Sequence, residues 1–360
     1  MNDQAIFRLQ KKIRKFPKAG LIRTPTPFYH LSALSRALGG PQIYIKREDM
    51  TGLAFGGNKS RKLEFIIQDV LRRDCDVVIT WAGLQSNWCL QTAAAARKFG
   101  LSPILVLFKT YDLPAEYDGN ILLDFILDAE IRIEDAEKGK VVSFEAAQKT
   151  IEEISAEQVR KGRRPYIAPI GGSLVGGSMT QPLGAVAYAE AYAEMYEQAG
   201  SLGFCPDYVL LASGSGGTQA GLIVGAEALE GKTKILGISV SDEKESFEDL
   251  IASIVKDTSG VLDIKLDVRK KEMIRVYDEY LAEGYGIVNR DVARALRLVA
   301  ETEGIFIDPV YTGKAVVALI DLIRKGAFRP TDRVVFLHTG GTAALFPNRA
   351  SIQDYLSAEE

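Results

Sequence analysis

The 360 residues carry 44 Lys and Arg against 47 Asp and Glu, a formal net charge of −3, and 47% are hydrophobic. That length favours two globular domains, and that balance gives no electrostatic reason to expect nucleic acid or a membrane surface as partner. Two histidines and three cysteines without metal-ligand spacing all but exclude Ser-His-Asp chemistry and a multi-histidine metal site.

No apolar run reaches the length of a membrane span. The basic start MNDQAIFRLQKKIRKFPKAG lacks the apolar region of a secretory signal and reads as a solvated surface helix, with an organelle presequence as the alternative. The odd number of cysteines suits a reducing cytoplasm. In chain order, QIYIKRE (42–48) predicts a strand, and KSRKLEFIIQDVLRR (59–73) a helix after a glycine turn. DVVITWA (76–82) reads as a buried strand and QSNWCLQTAAAARKFG (85–100) as a helix closed by Gly100. Strands at SPILVLF (102–108), EIRIE (130–134) and RPYIAPI (164–170) continue the rhythm, with helices near 119–127 and 143–161. After the glycine-rich stretch 170–184 the cycle restarts with a helix over 185–200, a strand at DYVLLAS (207–213), a helix after GSGGTQAG and a strand at KILGISV (234–240). Helices are expected near 245–256, 267–283 and 290–302, and RVVFLHTGG (333–341) as a late strand. This alternation predicts an α/β protein of parallel βαβ units, with a second lobe beginning near 170–185.

Three polar turns follow strands: GLQSN (83–87), SGSGGTQ (213–219) and HTGGT (338–342). Ligands of open α/β sheets sit beyond the carboxyl ends of strands, so these turns are the candidate site. In SGSGGTQAG, Gly214, Gly216 and Gly217 let backbone N–H groups turn around an anion, the following helix adds its dipole, and Ser213, Ser215 and Thr218 offer hydroxyls. The stretch is neither a P-loop nor a dinucleotide fingerprint. A merely structural turn is the alternative.

AFGGNKSRKLEF (54–65) sets Lys59 at a helix start beside Arg61 and Lys62, where an ammonium is disfavoured and a free amine more accessible. A neutral amine is what condensation with an aldehyde requires. A solvated lysine is the alternative; of its competitors, Lys46 falls within a strand and Lys62 within a charged pair. An amine nucleophile, a cradle for one phosphate and almost no histidine together suggest pyridoxal 5'-phosphate. Ser86 and Asn87 stand at a strand-to-helix turn whose amides can hold a carboxylate, and the Asn87 side chain can donate to a phenolate oxygen; helix capping is the competing role. Tyr285 and Tyr311 are acid–base candidates if their surroundings perturb them, and core aromatics otherwise.

In order along the chain, TPTPFYHLSAL, IYIKREDMTGLAFGGNKSRKLEF, LQSN, SGSGGTQAGL, DPVYTGKA and HTGGTAALF resemble the fold type II pyridoxal-phosphate enzymes, in the branch of 1-aminocyclopropane-1-carboxylate deaminase and D-cysteine desulfhydrase. The resemblance implies two open, twisted parallel-sheet domains, tryptophan synthase beta-like, with the cofactor in the cleft between them. Residues 1–55 plus 170–360 would form the large cofactor-binding domain and 56–169 the small one. It implies that Lys59 carries the cofactor, that Ser86 and Asn87 meet substrate carboxylate and cofactor phenolate, and that the loop from Ser213 to Thr218 holds the phosphate. Tyr285 and Tyr311 would line the substrate side, and Thr339 would meet the pyridine nitrogen. A hydroxyl there makes the ring a weaker electron sink than a carboxylate would, which favours loss of a β-substituent over a long-lived carbanion. Thr312 stands where cyclopropane deaminases carry Glu, and so points to β-elimination. Trp88, Leu90 and the inserted LVGGSMTQ (174–181) depart from the family pattern at the substrate side.

The expected activity is α,β-elimination of a small β-substituted amino acid to a 2-oxo acid, ammonia and the leaving group, by a cytoplasmic homodimer. The alternatives are a lyase or deaminase for 1-aminocyclopropane-1-carboxylate, D-serine, cysteate or a diamino acid, and a non-catalytic nucleotide-binding protein.

Overall fold

The computed structural model describes residues 3–109, 116–137, 142, 144–229, 231–281, 284 and 286–358. The first helix, α1 (Asp3–Ile13), buries Ala5, Ile6, Leu9 and Ile13 at helical spacing, so one face is docked and only the basic face is solvated. Then come β1 (Phe28–His30), α2 (Ser32–Leu38), β2 (Gln42–Arg47) and α3 (Asn58–Arg72). The middle of the chain forms β3 (Val77–Gly83), α4 (Asn87–Lys98), β4 (Ser102–Lys109), α5 (Gly119–Ile126), β5 (Glu130–Asp135), α6 (Phe144–Arg160) and β6 (Pro165–Ile167). It continues through α7 (Leu183–Ser201), β7 (Tyr208–Ser213), α8 (Gly217–Ala228), β8 (Lys234–Ser239) and α9 (Lys244–Val261). The last elements are α10 (Lys270–Met273), β9 (Arg275–Tyr277), α11 (Arg290–Glu303), α12 (Thr312–Arg324), β10 (Arg333–His338) and α13 (Arg349–Ser357).

Two sheets result. The strands order β5-β4-β3-β6 in one, all parallel, and β1-β2-β10-β7-β8-β9 in the other, parallel except for β1. Alternation along each strand sorts side chains between faces. In β3, Val77, Ile79 and Trp81 pack under α6, whereas Val78 and Ala82 face a core shared with the larger sheet. Val209, Leu211, Val335 and Leu337 enter that shared core from the other side, while Leu210, Ala212, Val334 and Phe336 pack toward α11 and α12. Leu63, Phe65 and Ile66 of α3 lie within the shared core, so α3 is held by both lobes.

The helix expected over 267–283 is instead the short α10 followed by the edge strand β9. The β-branched run around Ile274 and Val276 is buried, and Val276 pairs with Gly237 of β8; sheet pairing overrides helical pattern here. β1, α2, α12 and α13 are additional to the expected elements.

The first turn of α3 is fixed by buried charge. Arg61 Nε and Nη2 donate to the Glu48 carboxylate at 2.7 and 2.8 Å, and Nη1 and Nη2 reach Glu194 of α7 at 3.1 Å. Lys46 Nζ of β2 lies 2.5 Å from Glu194 Oε1, and the hydroxyls of Thr26 and Tyr188 donate to Glu48 at 2.7 and 2.8 Å. Two cations and two carboxylates thus form a neutral buried quartet tying α3 to β2 and α7. Burial works against charge on Glu48, but Arg61, then Lys46 and the Thr26 hydroxyl, hold its pKa down at about 2. Arg61→Met should therefore cost about 3–5 kcal/mol in urea unfolding, since it leaves buried carboxylates uncompensated. Because the folded pKa of Glu48 is depressed, its contribution is present above its ordinary value of 4.5 and is lost as pH falls toward about 2. Glu48→Gln should flatten the acid limb of the stability profile over that window.

Candidate active site

The turn before α3 leaves no room for side chains. Gly56 and Gly57 have φ of 75° and 131°, and a Cβ on Gly57 would lie 2.6 Å from Gln91 Nε2 and 3.0 Å from Thr339 O. Opposite them runs a second glycine pair: a Cβ on Gly340 would come within 2.7 Å of Gly57 Cα. Backbone therefore packs on backbone, and Asn58 N donates to Thr339 O at 3.0 Å. Gln91 of α4 completes the clamp, accepting from Ser60 N and Oγ at 2.7 Å and donating to Gly56 O at 3.0 Å. His338 at the end of β10 is buried, its pKa lowered by burial, and it accepts from Gly340 N at 3.2 Å. It is a neutral strut under the turn.

Lys59 emerges from this clamp into a cavity of about 440 Å³. Its surroundings withdraw it from water, and that burial alone lowers its pKa to about 8. Roughly a tenth of the amine is then neutral at pH 7. Lys62 lies inside the protein, donating to Gly171 O at 3.0 Å and Ser173 Oγ at 3.2 Å. Burial, and then the neighbouring charge of Lys59, lower its pKa well below the ordinary value. Arg61 points the other way, into the carboxylate quartet. The flanking charges expected to perturb Lys59 are thus handled elsewhere.

At the carboxyl end of β3, Ser86 caps α4: its Oγ accepts from Trp88 N at 3.2 Å and Cys89 N at 3.1 Å. Ser86 also lines the cavity. Asn120, at the start of α5, donates to Asn87 Oδ1 at 2.8 Å and to Gln85 O at 2.8 Å. That bond fixes the Asn87 amide so that its NH₂ is the end left to donate.

At the carboxyl end of β7, Gly216 takes the left-handed conformation at φ 72°, and α8 begins at Gly217. A Cβ on Gly217 would lie 1.6 Å from Ser173 Oγ, so the loop seats directly on the 171–173 turn above Lys62. The first-turn amides of α8 have no intrahelical acceptor. Ser213 Oγ is buried without a hydrogen-bond partner among the described residues. Asn58 Nδ2 donates to Thr218 Oγ1 at 3.1 Å, which links this loop to the residue preceding Lys59. Orphaned hydroxyl, helix amides and a neighbouring buried amine fit a phosphate.

Lys59, Ser86, Asn87, Trp88, Ser213, Gly214, Ser215, Thr218, Tyr311 and Thr339 all line the one cavity. Gly216 and Gly217 shape the loop without lining it. Thr312 stands apart: it is buried, its hydroxyl donates to Asp308 Oδ1 at 2.5 Å, and Asp308 also accepts from Val310, Tyr311 and Thr312 amides to cap α12. Tyr285 lies outside the described residues. Sequence patterns did not single out Asn58, Asn120 or Gln91, whose roles appear only across elements; Ile170, Leu174, Val175 and Gly176 line the cavity too, and the glycines of that stretch were the available signal. Among the described residues no group of three His, Cys, Asp or Glu could hold a metal ion, and no helix is long and apolar enough to cross a membrane.

A partly neutral amine facing an anion cradle, in a cleft at the carboxyl ends of parallel strands, meets the needs of an enzyme that carries its electrophile as a phosphorylated aldehyde. The family described as pyridoxal-phosphate dependent enzyme matches residues 20–340, and the chain belongs to it. A protein of Pyrococcus furiosus, provisionally named 1-aminocyclopropane-1-carboxylate deaminase, is 38% identical over 349 residues, 97% of this chain and 99% of its own. The D-cysteine desulfhydrase of Klebsiella pneumoniae is 39% identical over 344 residues, 93% of this chain and 97% of its own. The crystal structure of an ACC deaminase homologue matches with a TM-score of 0.85 at 38% identity, covering 97% of this chain and 99% of that one. The architecture is fold type II, the cofactor is pyridoxal phosphate and the chemistry is that of a lyase; a non-catalytic nucleotide-binding role is set aside.

The chain's two tryptophans, Trp81 and Trp88, both line the cavity. Adding pyridoxal phosphate to apoprotein should therefore quench most of the tryptophan emission. With the lysine pKa depressed, the loading rate should rise with pH to a midpoint near about 8 and level off; a midpoint at the ordinary 10.5 would mean a solvated amine.

Proposed function

We propose that the enzyme catalyses α,β-elimination of a small β-substituted amino acid, in the manner of a D-cysteine desulfhydrase, releasing a 2-oxo acid, ammonia and the β-substituent. The observation that carries this is Lys59, with a pKa of about 8, sharing one cavity with Ser86, Asn87 and the glycine loop. Bound pyridoxal phosphate supplies the electron sink that stabilises negative charge at the substrate α-carbon. Lys59 Nζ would bind its carbonyl carbon, the Ser213–Thr218 loop would hold its phosphate, Asn87 would donate to its phenolic oxygen and Thr339 would face its ring nitrogen; all of these stretches line the cavity. The free amine of Lys59 would take the proton from substrate Cα, and Ser86 would donate to the substrate carboxylate. Tyr311 or Tyr285 protonates the departing group.

Thr312 favours elimination over opening of a cyclopropane. Its hydroxyl is spent on Asp308, so that position offers the cavity no acid to protonate a ring carbon. The relatives named for 1-aminocyclopropane-1-carboxylate deaminase favour the second reading, deamination of that substrate. The two readings differ in product: pyruvate from a three-carbon β-substituted substrate, 2-oxobutyrate from the cyclopropane. We further propose domains at 1–55 plus 170–360 and 56–169, a cytoplasmic setting in keeping with the free Cys75, Cys89 and Cys205, and a homodimer. Leu122, Phe125 and Ile126 of α5 are exposed together and suit a subunit contact.

Lys59→Ala should remove the visible absorbance of the purified enzyme and lower turnover by at least about 10³-fold. Retained activity would defeat the assignment. Across both enantiomers of cysteine, serine and cysteate, together with 1-aminocyclopropane-1-carboxylate, the largest ammonia release is expected from a cysteine. In light scattering the mass should be twice that of one chain, and Phe125→Glu should halve it.

A further inference from the structure

The inner face of α5 carries polar groups with nothing to bind. Asn120, Ile121 and Asp124 are wholly buried while Leu122, Phe125 and Ile126 face out, so Asn120 and Asp124 stand one turn apart on one inner stripe. Both Asp124 carboxyl oxygens and Asn120 Oδ1 lack a hydrogen-bond partner among the described residues. The two Asn120 Nδ2 protons are already spent, on Gln85 O and Asn87 Oδ1. What Asn120 has left is an acceptor, which suits a carboxylic acid and repels a carboxylate. α5 packs against α4 and the Thr342–Leu345 turn. From α4 the Cys89 thiol faces Asp124, its pKa pushed up by burial and then by that carboxyl. Arg97 and Lys98, at the far end of α4, are taken by Leu127 O, Asp128 and Leu21 O. The 342–345 turn has no ionisable side chain, so neither element turns a free cation toward Asp124. Burial pushes the Asp124 pKa up to about 8.

We propose that Asp124 is a buried neutral acid donating its proton to Asn120 Oδ1, and that it is the positioning residue for Asn87. Hydrogen bonds then run one way, from the Asp124 hydroxyl to Asn120 and from Asn120 Nδ2 to Asn87 Oδ1, which leaves Asn87 Nδ2 as the donor toward the cofactor. Ionised Asp124 sets a carboxylate against Asn120 Oδ1, a clash that the amide relieves only by turning its NH₂ away from Asn87. The proposal rests on the role given above to Asn87 at the phenolic oxygen. Asp124→Asn keeps a donor for Asn120 at every pH. In urea unfolding of the cofactor-free chain, wild type should lose stability relative to Asp124→Asn as pH rises from 4 to 8, because the folded carboxyl keeps a proton that the unfolded one, at its ordinary 3.8, has released. The dissociation constant of pyridoxal 5'-phosphate, read from its visible band, should be alike in the two proteins at pH 6 and about tenfold weaker in wild type at pH 9. Neither test depends on a third variant, Asp124→Leu, which removes the donor. Folded by circular dichroism, it should weaken cofactor binding about fivefold at pH 6 and cost nothing further in an Asn87→Ala background. The proposal is overturned if wild type and Asp124→Asn share one stability profile, if their binding ratio is flat with pH, or if Asp124→Leu adds its full cost to Asn87→Ala. Asn87→Ala that binds the cofactor as wild type does would instead sink the role given to Asn87, and the stability slope would still decide whether Asp124 is an acid.

Discussion

Three cations within one turn of α3 have to be accommodated inside the protein, and each is given a different environment. Arg61 is neutralised by Glu48 and Glu194, with Lys46 completing the quartet. Lys62 is solvated by Gly171 O and Ser173 Oγ, a neutral pair of acceptors that does not stabilise a charge as a carboxylate would. Lys59 receives neither, and burial alone lowers its pKa. The reactivity of one amine thus depends on two neighbours being satisfied away from it. Were the quartet missing a carboxylate, Arg61 would hold uncompensated charge close to the same helix start, and the helix itself would lose its anchor on α7.

The second constraint is steric. The stretches that build the cavity are distant in sequence, yet the Gly56-Gly57 and Gly340-Gly341 turns press together without side chains between them. A single Cβ at either would separate β10 from the start of α3, and with them Thr339 from Lys59. Asn58 Nδ2 to Thr218 Oγ1 and Asn120 Nδ2 to Asn87 Oδ1 extend the joint to the other two turns. The Asn58–Thr218 bond is between buried groups and so is costly to leave unmade.

Parallel α/β architecture, most strand positions and the convergence of three strand-end turns were legible from alternation and turn chemistry. The glycines of 213–218 and the lysine after Gly-Gly-Asn announce an anion site and a helix start by their own conformational needs. The 267–283 segment was not legible, because the pairing of Val276 with Gly237 is decided by the sheet edge and not by its own periodicity. Asn120 and Gln91 looked like ordinary helix residues, since their partners lie 33 and 31 positions away. The cause of the Lys59 shift was also hidden. Adjacent charges suggested repulsion, whereas the fold sends one of them into a carboxylate pair and leaves burial to do the work.

Position 88 divides two structural tasks between the atoms of one residue. Its backbone N–H bonds Ser86 Oγ as part of the α4 cap, a service any residue other than proline provides. Its side chain leaves the cap and reaches Thr80 on β3, where it fills space vacated by Gly172. Cap and pocket wall therefore use different atoms of one residue. Ser86 and Asn87 stand beside it in the same turn and line the cavity. The indole at 88 needs a glycine opposite, since a Cβ on Gly172 would lie 3.0 Å from Trp88 Cη2. Trp88 and Gly172 are therefore coupled: a side chain at 172 would press the indole away from its seat against Thr80.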